Sequence, residues 1–229
     1  MATIAHRLQE VHARIALACT VAQRPASQVT LLCVSKTHPA DAVREAFGAG
    51  ECSFGENYVQ EGVDKIATLT DLRSHITWHL IGPLQSNKTR VVADYFDWVH
   101  SVDRLKIAQR LSEQRPVHLP PLQICLQVNI SGAESKSGLM PSELLEVATA
   151  VSQLPHLQLR GLMSIPEPAD TEAAQRVPHV ALRGLFNDLN QRGFALDTLS
   201  MGMTADMNAA ILEGATVVRV GTAIFGARG

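Results

Sequence analysis

Eight short apolar runs rich in β-branched residues, each followed by a stretch with helical spacing, constrain this chain more than any other feature of its sequence. The runs span 29–35 (Val-Thr-Leu-Leu-Cys-Val-Ser), 51–54, 76–81, 97–101, 122–129, 157–163, 197–201 and 216–220. Helical stretches follow near 39–49, 57–69, 86–94, 103–114, 141–153, 177–191 and 205–213. Strands that alternate with helices build a parallel sheet, because each parallel connection must cross back to the starting end. Eight such units fit one (β/α)8 barrel and use nearly all 229 residues, so a single domain over 1–229 is predicted. An open doubly wound sheet is the rival. It would want a glycine-rich fingerprint after its first strand, where this chain has Ser35-Lys36-Thr37-His38-Pro39.

Ahead of the first strand, Ile4, Leu8, Val11, Ile15 and Ala18 recur at helical spacing, with Arg7, Glu10 and Arg14 off that stripe. This predicts an extra amphipathic N-terminal helix. Ala16-Leu17-Ala18-Cys19 has the form of a lipoprotein cleavage box, but the apolar stretch before Cys19 starts only after Arg14, too short for a signal core. No apolar run approaches the ~18 residues a membrane span needs. With 20 Lys+Arg against 22 Asp+Glu and no run of like charge, the chain lacks the footprint of a nucleic-acid or anionic-lipid binder. Cys19, Cys33, Cys52 and Cys125 form no CxxC pair and read as reduced thiols, which predicts a soluble cytoplasmic protein. Ser142 stands where it can cap the helix of Leu144, Leu145, Ala148 and Val151.

Barrels of this kind carry their chemistry at the C-terminal ends of the strands, and phosphate is commonly held by the loops after strands seven and eight. Lys36 ends the first strand. At the rim of a dry mouth a lysine loses hydration, its pKa falls, and the amine can attack a carbonyl; a solvated loop lysine is the alternative. Ser200-Met201-Gly202-Met203-Thr204 follows strand seven and opens a helix near Asp206, offering hydroxyls and flexible backbone to a phosphate. Arg219-Val220-Gly221-Thr222 ends strand eight before a short extra helix, with Gly221 open to an anion and Thr222 offering a hydroxyl. Either glycine alone could be an ordinary turn residue. Arg219 sits among valines, so an inward-facing guanidinium must find an acceptor, whereas an outward one is solvated. A lysine aldehyde trap, a phosphate cup and an arginine between them suggest pyridoxal 5′-phosphate.

Several blocks carry a more specific signal: Val34-Ser35-Lys36-Thr37, Phe54-Gly55-Glu56-Asn57-Tyr58, the long run from Trp78-His79 to Asn87-Lys88, Lys136-Ser137-Gly138, Arg160-Gly161-Leu162-Met163, and Arg219 through Gly226. With them the chain resembles the pyridoxal phosphate homeostasis protein family, itself similar to the barrel domain of alanine racemase. The resemblance implies an alanine racemase N-terminal-domain-like barrel (fold type III) that holds pyridoxal 5′-phosphate as a covalent aldimine on Lys36. It implies a role in intracellular vitamin B6 and amino-acid homeostasis, with other B6 vitamers and apo enzymes awaiting the cofactor as possible partners. It also implies that Ser200, Gly202, Gly221 and Thr222 hold the phosphate, that Arg219 faces the ring nitrogen, and that Asn57, His79 and Met163 line the ring. Two departures stand out. Position 38 is often lysine in bacterial members but is His38 here, and the chain stops at Gly229 without the short tail many members carry.

Other motifs are weaker. Gly82-Pro83-Leu84-Gln85-Ser86-Asn87-Lys88-Thr89 has Asn87 where a P-loop needs glycine, so Ser86 reads as a helix cap and Lys88 as a surface lysine or secondary anion contact. His75 and His79 have the spacing of helical zinc ligands, but Ile76-Thr77-Trp78 between them reads as strand. Glu56 is a general base, a helix cap or the partner of a cation; Lys136 is a solvated loop tip or a second amine that exchanges the cofactor. Alanine racemases use a second domain that supplies a tyrosine acid/base across a dimer interface. No residues remain here for that domain, and the only tyrosines are Tyr58 and Tyr95. A monomeric cofactor carrier with little turnover is therefore expected. A pyridoxal-phosphate racemase with a second base such as His79 is the runner-up, and a cofactor-free lysine aldolase acting on a phosphorylated sugar is a third reading.

Overall fold

In the computed structural model, which describes residues 2–133 and 136–226, all eight expected strands form one closed parallel barrel in chain order. They are β1 (Thr30–Val34), β2 (Ser53–Glu56), β3 (Thr77–Leu80), β4 (Trp98–Val102), β5 (Leu122–Gln127), β6 (Leu157–Met163), β7 (Thr198–Met203) and β8 (Val217–Val220). Pairing of Thr30 with Val217 and of Cys33 with Val220 closes β8 onto β1. The intervening helices are α2 (Ala40–Gly48), α3 (Val59–Thr68), α4 (Thr89–Tyr95), α5 (Leu105–Gln114), α6 (Leu144–Ser152), α7 (Glu172–Gln191) and α8 (Met207–Leu212), with a short α9 (Thr222–Phe225) after β8. The chain end at Gly229 lies outside the described residues.

The expected N-terminal helix is α1 (Ile4–Val21). Thr3 caps it by accepting from the His6 amide at 3.2 Å, and Leu8, Val11, Ile15 and Ala18 are buried against α8, α9 and α2. Period-two alternation sorts each strand between the outer shell and the barrel interior. On β1, Leu31 and Cys33 join the large core under the helices, whereas Leu32 and Val34 form a separate inner cluster with Ile81 and Val217. On β3, Trp78 and Leu80 join the outer core; His79, Ser200 and Arg219 are also buried, but as polar side chains. Each fully buried large apolar residue such as Trp78, Phe54 or Leu111 contributes roughly 1.5–3 kcal/mol. That outer core supports an interior which is partly polar.

Two local expectations change. Helix α7 begins at Glu172, not near 177, because Thr171 caps it by accepting from the Ala174 amide, and it runs through Pro178. Ser142 does not cap α6; the turn before that helix is closed by Glu143, whose carboxylate accepts from the Met140 amide at 2.9 Å.

Candidate cofactor site

The strand ends at the C-terminal mouth enclose a cavity of about 300 Å³. Of the residues singled out by sequence, Lys36, Asn57, Arg219, Gly221 and Thr222 line it together. Lys36 enters from the turn after β1, Asn57 from the end of β2, and the other three from β8 and the start of α9. The wall is completed by Met203 and Thr204 of the 200–204 block, by Ile81 and His38, and by Ile165, which no motif covers. His38 stacks on Phe225 with ring centroids 5.2 Å apart. Thr204 was visible in the sequence as the last residue of the 200–204 block. Only the length of β7 shows that it, not Ser200, reaches the rim.

Arg219 forms part of the wall from inside the barrel and is only 4% exposed. Its Nη1 donates to the Ser200 carbonyl at 2.7 Å and to the Ser200 hydroxyl at 2.8 Å, and its Nη2 donates to the Ser164 carbonyl at 2.8 Å. These hydrogen-bond partners are neutral. Burial pulls the guanidinium down to about 10, with Asp206 acting on it through space in the opposite sense, so it stays cationic at neutral pH. A buried cation without a bonded anion is costly, and the side of it that faces the cavity is where an acceptor can offset that cost.

Behind Arg219 runs a chain of hydrogen bonds: Ser200 Oγ to His100 Nδ1 at 2.8 Å, and His100 Nε2 to His79 Nδ1 at 2.9 Å. Burial pushes His79 down to about 3 and His100 well below its usual value, so both rings are neutral at pH 7. Their tautomers follow by assignment. Ser200 accepts from Arg219, which leaves its single proton for His100 Nδ1; His100 then carries its own proton on Nε2 and gives it to His79 Nδ1.

This chain moves two expected site residues away from the cavity. Ser200 is fully buried, sits three residues before the end of β7, and hydrogen-bonds Arg219 and His100 through its hydroxyl. His79 lies one residue before the end of β3, below the rim reached by Ile81. It borders a different cavity, shared with Trp98, Arg160 and Asp197, and stacks on Trp98 at 5.4 Å. It is not among the residues that line the C-terminal cavity. Met163, the last residue of β6, is fully buried and likewise does not line the cavity; Ile165 does.

Gly202 acts through the backbone. The β7–β8 register shifts between Ser200 and Met203, and Gly202 within that irregularity has φ +90°, with a Cβ there falling 2.4 Å from the Ala210 Cβ. The bend carries Met203 and Thr204 to the cavity wall. Gly221 borders the cavity directly, and a Cβ there would stand 3.0 Å from the Val34 carbonyl oxygen.

The weaker motifs separate as well. Glu56 is fully buried on a lysine, which settles its three readings in favour of a paired carboxylate; burial pushes it up against the pull of Lys65. His75 is exposed beside Phe47 while His79 is inside the barrel. Ser86 opens a one-turn 3-10 segment ending at Lys88, and its carbonyl accepts from Thr89 and Arg110; no side-chain cap bond forms at the start of that segment or of α4. Lys136 pairs with Glu167 at 3.0 Å, joining the loop after β5 to the loop after β6.

The sequence model of the alanine racemase N-terminal domain matches residues 7–229. The pyridoxal phosphate homeostasis protein of Pseudomonas aeruginosa is 60% identical over 228 residues, covering 100% of this chain and 97% of the relative. The chain belongs to the pyridoxal phosphate homeostasis protein family. Its Escherichia coli relative of the same name is 53% identical over 229 residues, covering 100% of this chain and 98% of the relative. Among solved structures, PipY of Synechococcus elongatus with pyridoxal phosphate bound superposes with a TM-score of 0.85 at 41% identity, covering 98% of this chain and 100% of that one.

Proposed function

We propose that the chain is a single domain that binds pyridoxal 5′-phosphate through Lys36 and serves intracellular vitamin B6 and amino-acid homeostasis in the cytoplasm, with little or no turnover. The observation that carries this reading is the pairing of Lys36 with a cationic, neutrally partnered Arg219 in the wall of one cavity. The remaining wall suits the same molecule. Gly221 and the hydroxyls of Thr204 and Thr222 offer a phosphate backbone access and donors, and the amide oxygen of Asn57 is buried without a partner among the described residues. A relative 41% identical holds pyridoxal phosphate. When bound, the cofactor supplies an aldehyde that condenses with a lysine amine, losing water, and a conjugated ring that absorbs visible light.

The chain's own residues favour holding over turnover. Arg219 keeps its proton at neutral pH and does not readily protonate a pyridine nitrogen, which weakens the ring as an electron sink without by itself forbidding racemisation. Apart from it, the titratable side chains among the described cavity residues are Lys36 and His38. Tyr58 and Tyr95 are exposed and border no part of the cavity. A monomer that gives the cofactor, or a related vitamer, to apo enzymes completes the proposal.

Titration of wild type and Lys36→Ala with pyridoxal phosphate tests it: a visible band saturates in wild type and is lost in the variant. An equal band in both proteins contradicts the assignment of Lys36. Lys36-dependent loss of α-deuterium from amino acids at enzymatic rates would instead establish the racemase reading, and a colourless protein that cleaves phosphorylated sugars the aldolase one.

A further inference from the structure

The turn that carries Lys36 is held from behind by a buried cluster of charge. Lys65, on α3, is 5% exposed, and its Nζ donates to the Ser35 carbonyl at 2.6 Å, to Glu56 Oε1 at 2.7 Å and to Glu61 Oε1 at 2.7 Å. All three ammonium protons are thereby used. Glu56 also accepts from the Ser35 hydroxyl at 2.6 Å, and Glu61 accepts from the Thr37 amide. The residues on both sides of Lys36 are therefore tied to one cluster. Thr37 has φ +65°, a left-handed conformation uncommon for a threonine, so the bond from its amide to Glu61 holds a backbone that would otherwise relax.

Burying the Lys65 ammonium on the Glu56 carboxylate is a weak route to stability, since desolvation consumes much of the attraction. Its clearer consequence is geometric. We infer that Lys65, Glu56 and Glu61 are positioning residues for Lys36: they fix the Ser35–Thr37 turn so that the amine projects into the cavity it shares with Arg219 and Gly221. This rests on the reading of Lys36 as the attaching amine. In that step the amine nitrogen bonds to the aldehyde carbon, and the aldehyde oxygen leaves as water with both amine protons. The cluster contributes no atom to it; it sets the approach of the nitrogen.

The test uses Glu61, which is part-exposed and tolerates change better than the two buried members. Stopped-flow appearance of the visible band on mixing with pyridoxal phosphate is followed beside amide hydrogen exchange over residues 35–38 without cofactor. Glu61→Ala is expected to slow the band by a factor of about five or more, since a misplaced reacting group loses rate steeply. Exchange at Thr37 should accelerate about tenfold as its amide loses its acceptor. Glu61→Gln, which keeps an acceptor oxygen for that amide, restores both. A wild-type rate in Glu61→Ala overturns the inference even where exchange at Thr37 accelerates. Should that variant fail to fold, Ser35→Ala, which removes only the hydroxyl bond to Glu56, must slow the band for the inference to stand, and an unchanged rate overturns it. If Lys36→Ala gives the same band as wild type, the Lys36 reading fails instead, and the exchange measurement still reports whether the cluster fixes the turn.

Discussion

Arg219 donates through one nitrogen to both oxygens of Ser200, the carbonyl at 2.7 Å and the hydroxyl at 2.8 Å. Ser200 thereby braces the cation from within the barrel. In Ser200→Ala the hydroxyl bond is lost and His100 Nδ1 is left buried without its partner, at a cost of about 1–3 kcal/mol in stability. Chemical denaturation should show that loss. The preference for pyridoxal phosphate over unphosphorylated pyridoxal should stay as in wild type, because Ser200 does not reach the cavity.

Thr204 and Thr222 should behave in the opposite way. Both border the cavity with hydroxyls suited to a phosphate. Thr204→Ala and Thr222→Ala should each weaken pyridoxal phosphate by about 5- to 10-fold, equivalent to roughly 1–1.5 kcal/mol, with little effect on pyridoxal and little on stability. Paired titrations with the two vitamers read this directly, and an equal loss for both would show that the hydroxyls do not meet the phosphate.

The neutral histidines give the fold an acid limit. His79 is held near 3 by burial, below the ordinary value of 6.5, so the unfolded chain binds the extra proton between those values and stability falls as pH drops through that window. Between pH 7 and 5 this single group accounts for roughly 2 kcal/mol of lost stability. His79→Leu removes that proton uptake. Its denaturation free energy should therefore fall less steeply than that of wild type over the same interval, as urea melts at several pH values will show.

How far the sequence foretells the site depends on strand length. The eight strands were legible because each apolar run is short, rich in β-branched residues and bounded by a helical pattern. Lys36, Gly221 and Thr222 were legible because they fall just past a strand end. That Ser200 and His79 lie below the lining of the cavity was not legible: β7 runs on to Met203, beyond the predicted 201, and at β3 it is Ile81, two residues after His79, that reaches the wall. The irregularity at Gly202 has a glycine as its trace in the sequence, but a glycine alone does not reveal a register shift. The contacts of Lys65 with Ser35, Glu56 and Glu61 could not be read at all. They depend on how α3 seats against β1 and β2, and no local pattern encodes that packing.

Lys36 and Arg219 reach the same cavity from the paired strands β1 and β8, and Lys36 is proposed to attach the cofactor there. Borohydride reduction of the purified protein loaded with pyridoxal phosphate, followed by peptide mass mapping, tests it most directly. One stoichiometric pyridoxyl-phosphate adduct is expected on the peptide containing Lys36; an adduct confined to Lys136 or another lysine, or no adduct on a protein that still binds the cofactor, would rule out Lys36 as the attachment site.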